Sequence, residues 1–313
     1  MIDALSIVLP VFGLIAIGLA AAKLGVLTEA SEKGIADFAF TFAMPALLFR
    51  TMATVKVPDV APVSLWLAFL STAASVWVLS TLLTILVLKR PAPDAAPISM
   101  AATFGNNVML GIPLAVAAFG DAALAPAALL LSVQTPLYWL AATLHLQWAD
   151  RAVGVPLSSV IATMLRDLSR NPVLMAIILG SLWRTTGLGL ATPVERTLAL
   201  LGQAGIPCAL IALGMSLARF KIAGQLPTLT MIIVLKIVAM PAVGFVLTKY
   251  VFDLPPLALA VALLFMATPT GANAFLFASR YGRAVNSTAA AVTVTTALGV
   301  VTTTAVIWLL KSS

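Results

Sequence analysis

The chain has 313 residues, of which 61% are hydrophobic and only 9% charged, and its mean hydropathy is +1.09. A soluble domain carries roughly 45–50% apolar and about 25% charged residues, so this chain cannot keep a wetted surface. That excludes a cytosolic enzyme and a nucleic-acid binder, and also a disordered protein, because disorder needs low hydrophobicity and high charge.

A helix needs about 20 predominantly apolar residues to cross the hydrocarbon of a bilayer. Runs of that kind are expected at 3–22, 34–54, 62–88, 97–119, 122–148, 171–187, 194–218, 226–250, 255–279 and 284–310. The first run has the acidic Asp3 and no basic residue ahead of it, so it is expected as a retained span and not as a cleaved signal peptide. The second run carries Pro45 and ends near Arg50, and the third ends at Lys89-Arg90-Pro91. The fourth is interrupted by Gly105-Asn106-Asn107, Gly111 and Pro113. Gly120-Asp121 then turns the chain into the fifth, which holds Gln134, Thr135, Tyr138 and His145.

A linker at about 149–170 follows, with a weak amphipathic pattern suited to the membrane interface. The sixth run starts at Asn171-Pro172 and ends near Arg184; the seventh carries Pro207 and the single cysteine, Cys208. One cysteine excludes an intramolecular disulfide and a cysteine-based metal site. The eighth places Lys236 ten residues inside it. The ninth follows Leu254-Pro255-Pro256 and is interrupted at Thr268-Pro269-Thr270-Gly271, just before Asn273. The tenth is rich in threonine (Thr293, Thr295, Thr296, Thr302, Thr303, Thr304), whose hydroxyls can satisfy their own helix carbonyls.

The formal net charge of +7 serves topology first. Eleven basic residues fall in loops after odd-numbered runs: Lys23, Lys33, Lys89, Arg90, Arg151, Arg166, Arg170, Arg219, Lys221, Arg280 and Arg283. Six fall on the other side: Arg50, Lys56, Arg184, Arg196, Lys249 and Lys311. The positive-inside rule then makes the odd loops cytoplasmic and both termini external. Arg50 and Arg184, in last turns, are expected as interfacial anchors, and His145 as an interface residue.

The prolines and glycines suggest an internal repeat. Pro10 to Gly18 and Pro172 to Gly180 share a spacing of eight at an offset of 162, and Pro45 and Pro207 are also 162 apart. Gly111 and Gly271 are 160 apart. The expected domains are a first five-helix repeat at 1–148, a cytoplasmic linker at 149–170, and a second repeat at 171–313. Five spans per half invert the second half in the membrane, which is a transporter architecture.

Matched interruptions in two halves of such a chain mark a substrate site, because unsatisfied backbone at mid-membrane depth is tolerated only beside a cavity or inside protein. The N-terminal amides of each second half-helix suit an anion, and Asn106, Asn107 and Asn273 add side-chain donors. Lys236 lies about 15 Å from either end of its run, too far to snorkel, so it must face the bundle interior or water. No Asp or Glu lies deep in a run. Two readings of Lys236 stand: a counter-charge for a bound anion, or a lysine bonded to helix carbonyls.

The stretch Phe42–Phe49 (FAMPALLF), the Gly-Asn-Asn-x3-Gly-x-Pro pattern at Gly105–Pro113, Asn171-Pro172 and Ala267–Asn273 together resemble the auxin efflux carrier family, over essentially the whole chain. The resemblance implies an all-α, ten-helix inverted repeat similar to the bile acid–sodium symporter fold, with a scaffold and a moving transport domain. It implies that the broken fourth and ninth helices cross at prolines matched by Pro113 and Pro269, and that Asn107 or Asn106 binds a carboxylate. Homodimerisation through scaffold helices is implied too. The linker of about twenty residues is far shorter than the cytoplasmic domain of many plant carriers, so the size suits the bacterial branch, in an inner membrane.

The expected function is a secondary carrier of small organic anions, mono- or dicarboxylates such as malonate, malate or auxin-like acids. The candidate substrate-binding residues are Asn106, Asn107, Gly111, Thr268, Gly271, Asn273 and Lys236, with no metal, cofactor or catalytic group and no nucleic-acid partner. An anion channel or a transporter-derived sensor is the alternative. An intramembrane enzyme would need a nucleophile–base pair or a carboxylate cluster that the runs lack.

Overall fold

A computed structural model describes residues 2–54, 62–150, 157–219 and 226–312; Lys56, Arg151 and Lys221 of the charge count lie outside the described residues. The described residues are helical throughout, with one isolated antiparallel bridge between Gly105 and Thr270 and no strand. The helices are α1 (Ile2–Lys23), α2 (Glu29–Thr54), α3 (Pro62–Val87), α4 (Ala95–Thr103), α5 (Asn107–Phe119), α6 (Leu124–Ala149), α7 (Leu157–Arg170) and α8 (Pro172–Thr185). Then come α9 (Thr192–Leu217), α10 (Leu226–Val251), α11 (Pro256–Ala267), α12 (Ala272–Tyr281) and α13 (Val285–Ser312).

Seven of these, α1, α2, α3, α6, α9, α10 and α13, are long and apolar enough to cross a membrane. The runs expected at 97–119, 171–187 and 255–279 hold shorter helices. The fourth run is split into α4 and α5, and the ninth into α11 and α12. The sixth yields α8 of 14 residues, which stops where Gly187 enters the left-handed region (φ 69°) that glycine tolerates. The chain is a multi-pass membrane protein by these lengths and by its composition.

Two helix groups pack differently. In the first, α1 lies on α9, and α2 on both α8 and α9. Small residues set the distance, as lipid-embedded helices require in place of a hydrophobic drive. A Cβ on Gly18 would enter the backbone of Ile211, and one on Gly214 would enter that of Ile15. On Gly180 it would meet the Phe49 carbonyl oxygen at 2.6 Å. Both ends of the α2–α9 pair carry ion pairs: Arg50 Nη2 to Glu195 Oε1 at 3.2 Å, and Arg219 to Glu29 and Glu32 at 2.7 and 2.6 Å. The more exposed pairs, Arg50–Glu195 and Arg219–Glu29, add little stability, up to about 1 kcal/mol each, while Glu32 is buried. Arg50, expected as a lipid anchor, is thus paired within the protein.

The second group comprises α3 to α6 and α10 to α13 around the two interrupted pairs. At one end Arg90 donates to Asp94 (2.8 Å) and Thr228 (3.2 Å), and Arg283 donates to Asp150 (2.9 Å), tying the loops after α3, α6 and α12. His145 is half-buried and its Nδ1 accepts from Trp77 Nε1 at 3.1 Å. The threonines of α13 donate to the carbonyls four residues back, as the sequence suggests.

Candidate functional site

The site begins where two helices stop. After Thr103 the chain is extended at Phe104 (φ −74°, ψ 113°) and passes Gly105 and Asn106 before α5 begins. After Ala267 it is extended at Thr268 and Gly271 before α12 begins. The two extended pieces run antiparallel and pair. Asn106 N donates to the Pro269 carbonyl, and Gly271 N to the Phe104 carbonyl, both at 2.9 Å. Backbone groups freed by the two breaks therefore satisfy one another.

Glycine is needed at this crossing for space. A Cβ on Gly105 would sit 2.9 Å from the Phe265 carbonyl oxygen, and one on Gly271 would sit 2.7 Å from the Phe104 ring. Gly271→Ala is expected to push the two strands apart and to lower transport at least tenfold while the protein still reaches the membrane. Transport assays on membranes with matched protein content check this.

Side chains lock the crossing. Thr268 Oγ1 donates to Asn107 Oδ1 at 2.7 Å, with the Phe265 carbonyl as a second acceptor at the same distance. Asn107 Nδ2 donates to Gln134 Oε1 at 2.8 Å, and Gln134 Nε2 donates to the Gly105 carbonyl at 3.0 Å. Thr270 N donates to Thr295 Oγ1 (2.9 Å), and Thr270 Oγ1 donates to the Ala101 carbonyl (2.8 Å). Lys236 is fully buried. Its Nζ donates to the Met266 carbonyl at 2.9 Å and approaches the Thr103 carbonyl at 3.5 Å. These carbonyls belong to the C-terminal ends of α11 and α4, where the helix dipoles are negative. Of the two readings of Lys236, the geometry places its ammonium on helix carbonyls.

On the other side of the crossing is a cavity of about 390 Å³, a size typical of small-molecule sites. Asn106, Asn107, Val108 and Met109 line it from the start of α5, and Ala272 and Asn273 from the start of α12. The first amides of a helix have no partner within it, so two sets of N–H donors converge there. Asn106 is buried (6% exposed), and its Nδ2 has no hydrogen-bond partner. Asn171 and Pro172 face the cavity from the first helix group; Asn171 Oδ1 caps α8 by accepting from Val173 N (3.0 Å) and Leu174 N (3.2 Å).

The expected site residues thus separate. Asn106, Asn107 and Asn273 line the cavity; Thr268, Gly271 and Pro269 build the crossing; Lys236 caps its far side. Pro113 is displaced from its expected place. The break falls at Phe104–Asn106, and Pro113 lies inside α5, just after a π turn over Asn107–Gly111 whose wider backbone precedes the missing proline N–H. Gly111 belongs to that π turn, and a Cβ there would come 3.0 Å from Asn107 Oδ1. Gly271 instead precedes α12, so the 160-residue match between them is not a structural one. Asn171 and Gln134, which the sequence does not single out as substrate-binding, also line the cavity. A polar residue near a proline, Gln134 two before Pro136 and Asn171 directly before Pro172, was the available signal.

Residues 3–307 match the family model described as membrane transport protein. The chain belongs to that family. This is the auxin efflux carrier family that the motifs resemble. A relative in Rhizobium meliloti (strain 1021), named "Putative malonate transporter", is 25% identical over 312 residues, spanning 100% of this chain and 97% of that protein. A mouse relative named "Lysosomal cholesterol signaling protein" is 31% identical over 110 residues, 34% of this chain and 13% of that protein. Family membership makes the chain a transporter.

Proposed function

We propose that the protein is a secondary carrier that moves a small organic anion by alternating access at the crossing of its interrupted helices. The observation that carries this reading is the cavity where the N-terminal ends of α5 and α12 meet around the unpartnered Asn106 amide. Oriented N–H donors at helix N-termini bind a carboxylate. In this reading Asn106 and Asn273 hold the anion, Asn107 and Thr268 keep the crossing rigid, and Lys236 holds the carbonyl ends of α4 and α11 together behind it. The name of the Rhizobium relative supports a carboxylate as substrate.

The proposed architecture is ten spans in two inverted repeats, 1–148 and 171–313, with 149–170 as a cytoplasmic linker. Here α4 with α5 forms the fourth span, α8 the sixth, and α11 with α12 the ninth. Symmetric details support it. α3 and α10 both end in π turns, Leu83–Val87 and Leu247–Val251, 164 residues apart. Lys89 and Asp253 follow them, also 164 apart, both with positive φ (51° and 43°). Gly18 packs on Ile211 and Gly180 on Phe49, and each residue lies 162 from its counterpart.

The glycine-packed group of α1, α2, α8 and α9 serves as scaffold and the other group as the moving domain, with homodimerisation through the scaffold. The basic residues support cytoplasmic odd loops and periplasmic termini in a bacterial inner membrane. Proteoliposome counterflow tests the carrier reading: saturable exchange of a labelled carboxylate against unlabelled internal acid is expected. Flux without saturation or counterflow would make it a channel, and binding without flux a sensor.

A further inference from the structure

We infer that α7 (Leu157–Arg170) lies in the plane of the bilayer surface and docks there on anionic lipid headgroups. With 14 residues it is about 21 Å long, too short to cross the hydrocarbon. It packs on α6, which is long and apolar enough to span, and on the apolar α8. Its level is marked by Trp148, which lies in the last turn of α6 and is 75% exposed; tryptophan gathers at the membrane–water boundary. At the other end Asn171 is extended (φ −81°, ψ 111°), so α7 leaves the axis of α8 instead of continuing it. The placement is independent of what the cavity carries.

The open side of α7 divides by chemistry. Ile161 (39% exposed) and Leu165 (58% exposed) are four residues apart and form one ridge. Arg166 and Arg170, also exposed and four apart, form another, roughly 140° round the helix from the first. In water the apolar ridge would stay wetted, whereas at a bilayer surface it enters the boundary between headgroups and acyl chains. Arginines set to one side of it reach the phosphates, which a guanidinium binds through two N–H donors at once. The segment has one acid, Asp167, against its two arginines, so its charge favours an anionic leaflet over a zwitterionic one. Asn171 follows Arg170 directly and lines the cavity; a docked α7 therefore holds the first turn of α8 in place beside it.

The test uses the full-length protein with Cys208→Ser and a nitroxide attached at Ile161→Cys or at Leu165→Cys. It is reconstituted in vesicles of phosphatidylcholine or of an equal mixture of phosphatidylcholine and phosphatidylglycerol. In the mixed vesicles both labels are expected to collide with dissolved oxygen more than with a water-soluble nickel chelate. The ratio of lipid-docked to free label at Leu165→Cys, read from its spectrum, should be higher there than in phosphatidylcholine alone. It should fall about fivefold in the mixed vesicles with Arg166→Gln or with Arg170→Gln. Labels that meet the nickel chelate more than oxygen would put α7 in water, and labels shielded from both would put it against protein; either result overturns the inference. A docked-to-free ratio that responds neither to phosphatidylglycerol nor to loss of the arginines overturns the headgroup assignment.

Discussion

Lys236→Met is expected to lower the protein's stability by about 1–3 kcal/mol and to abolish transport. Methionine keeps most of the side-chain volume, so the loss is electrostatic. The ammonium donates to the Met266 carbonyl and faces that of Thr103. Without it the buried Met266 carbonyl loses that donor, at about 1–3 kcal/mol, whereas the Thr103 carbonyl keeps the Tyr138 hydroxyl at 3.4 Å. Two negative helix ends would also be left facing each other with no cation between them. Thermal unfolding in detergent reads the first effect and counterflow the second. A variant with wild-type melting and exchange would show that the crossing does not depend on this charge.

Asn106→Ala is expected to separate binding from folding. Its Nδ2 has no partner in the protein, so its removal breaks no internal bond made by that donor. A hydrogen bond to a charged group is worth roughly 1.5–3 kcal/mol, which converts to a loss of about 10- to 150-fold in substrate affinity. The melting temperature without substrate should stay near that of the wild type. Asn107→Ala should behave differently. That side chain joins Thr268 and Gln134, so its removal leaves buried partners unmet and lowers stability as well as transport. Equal melting losses in the two variants, or unchanged affinity in Asn106→Ala, would refute the division of roles.

The sequence made the helical membrane character legible because hydropathy is a local property, and the short and long helices begin and end within a few residues of the apolar runs. The interruptions were legible as regions, since glycine and proline both weaken helices, but not as points. Gly105 and Pro113 are both breakers. Only the pairing of Asn106 with Pro269, across 163 residues, decides that the chain opens at the first. Lys236 was legible as an interior residue from its depth. Its partners were not, because carbonyls freed by a break leave no mark in side-chain composition. Asn106 and Asn107 could not be told apart for the same reason: adjacent asparagines look alike until Thr268 and Gln134 are placed around one of them.

The most direct measurement is the position of a bound acid. A crystal structure with 4-bromophenylacetate, located by bromine anomalous scattering, is expected to place the carboxylate about 2.7–3.2 Å from Asn106 Nδ2 and the first amides of α5 and α12, with the ring against Phe104 or Leu174. Bromine found only in the lipid-facing groove of Leu83, Leu226 and Met231, with the crossing cavity empty at saturating ligand, would contradict the assignment of the substrate site.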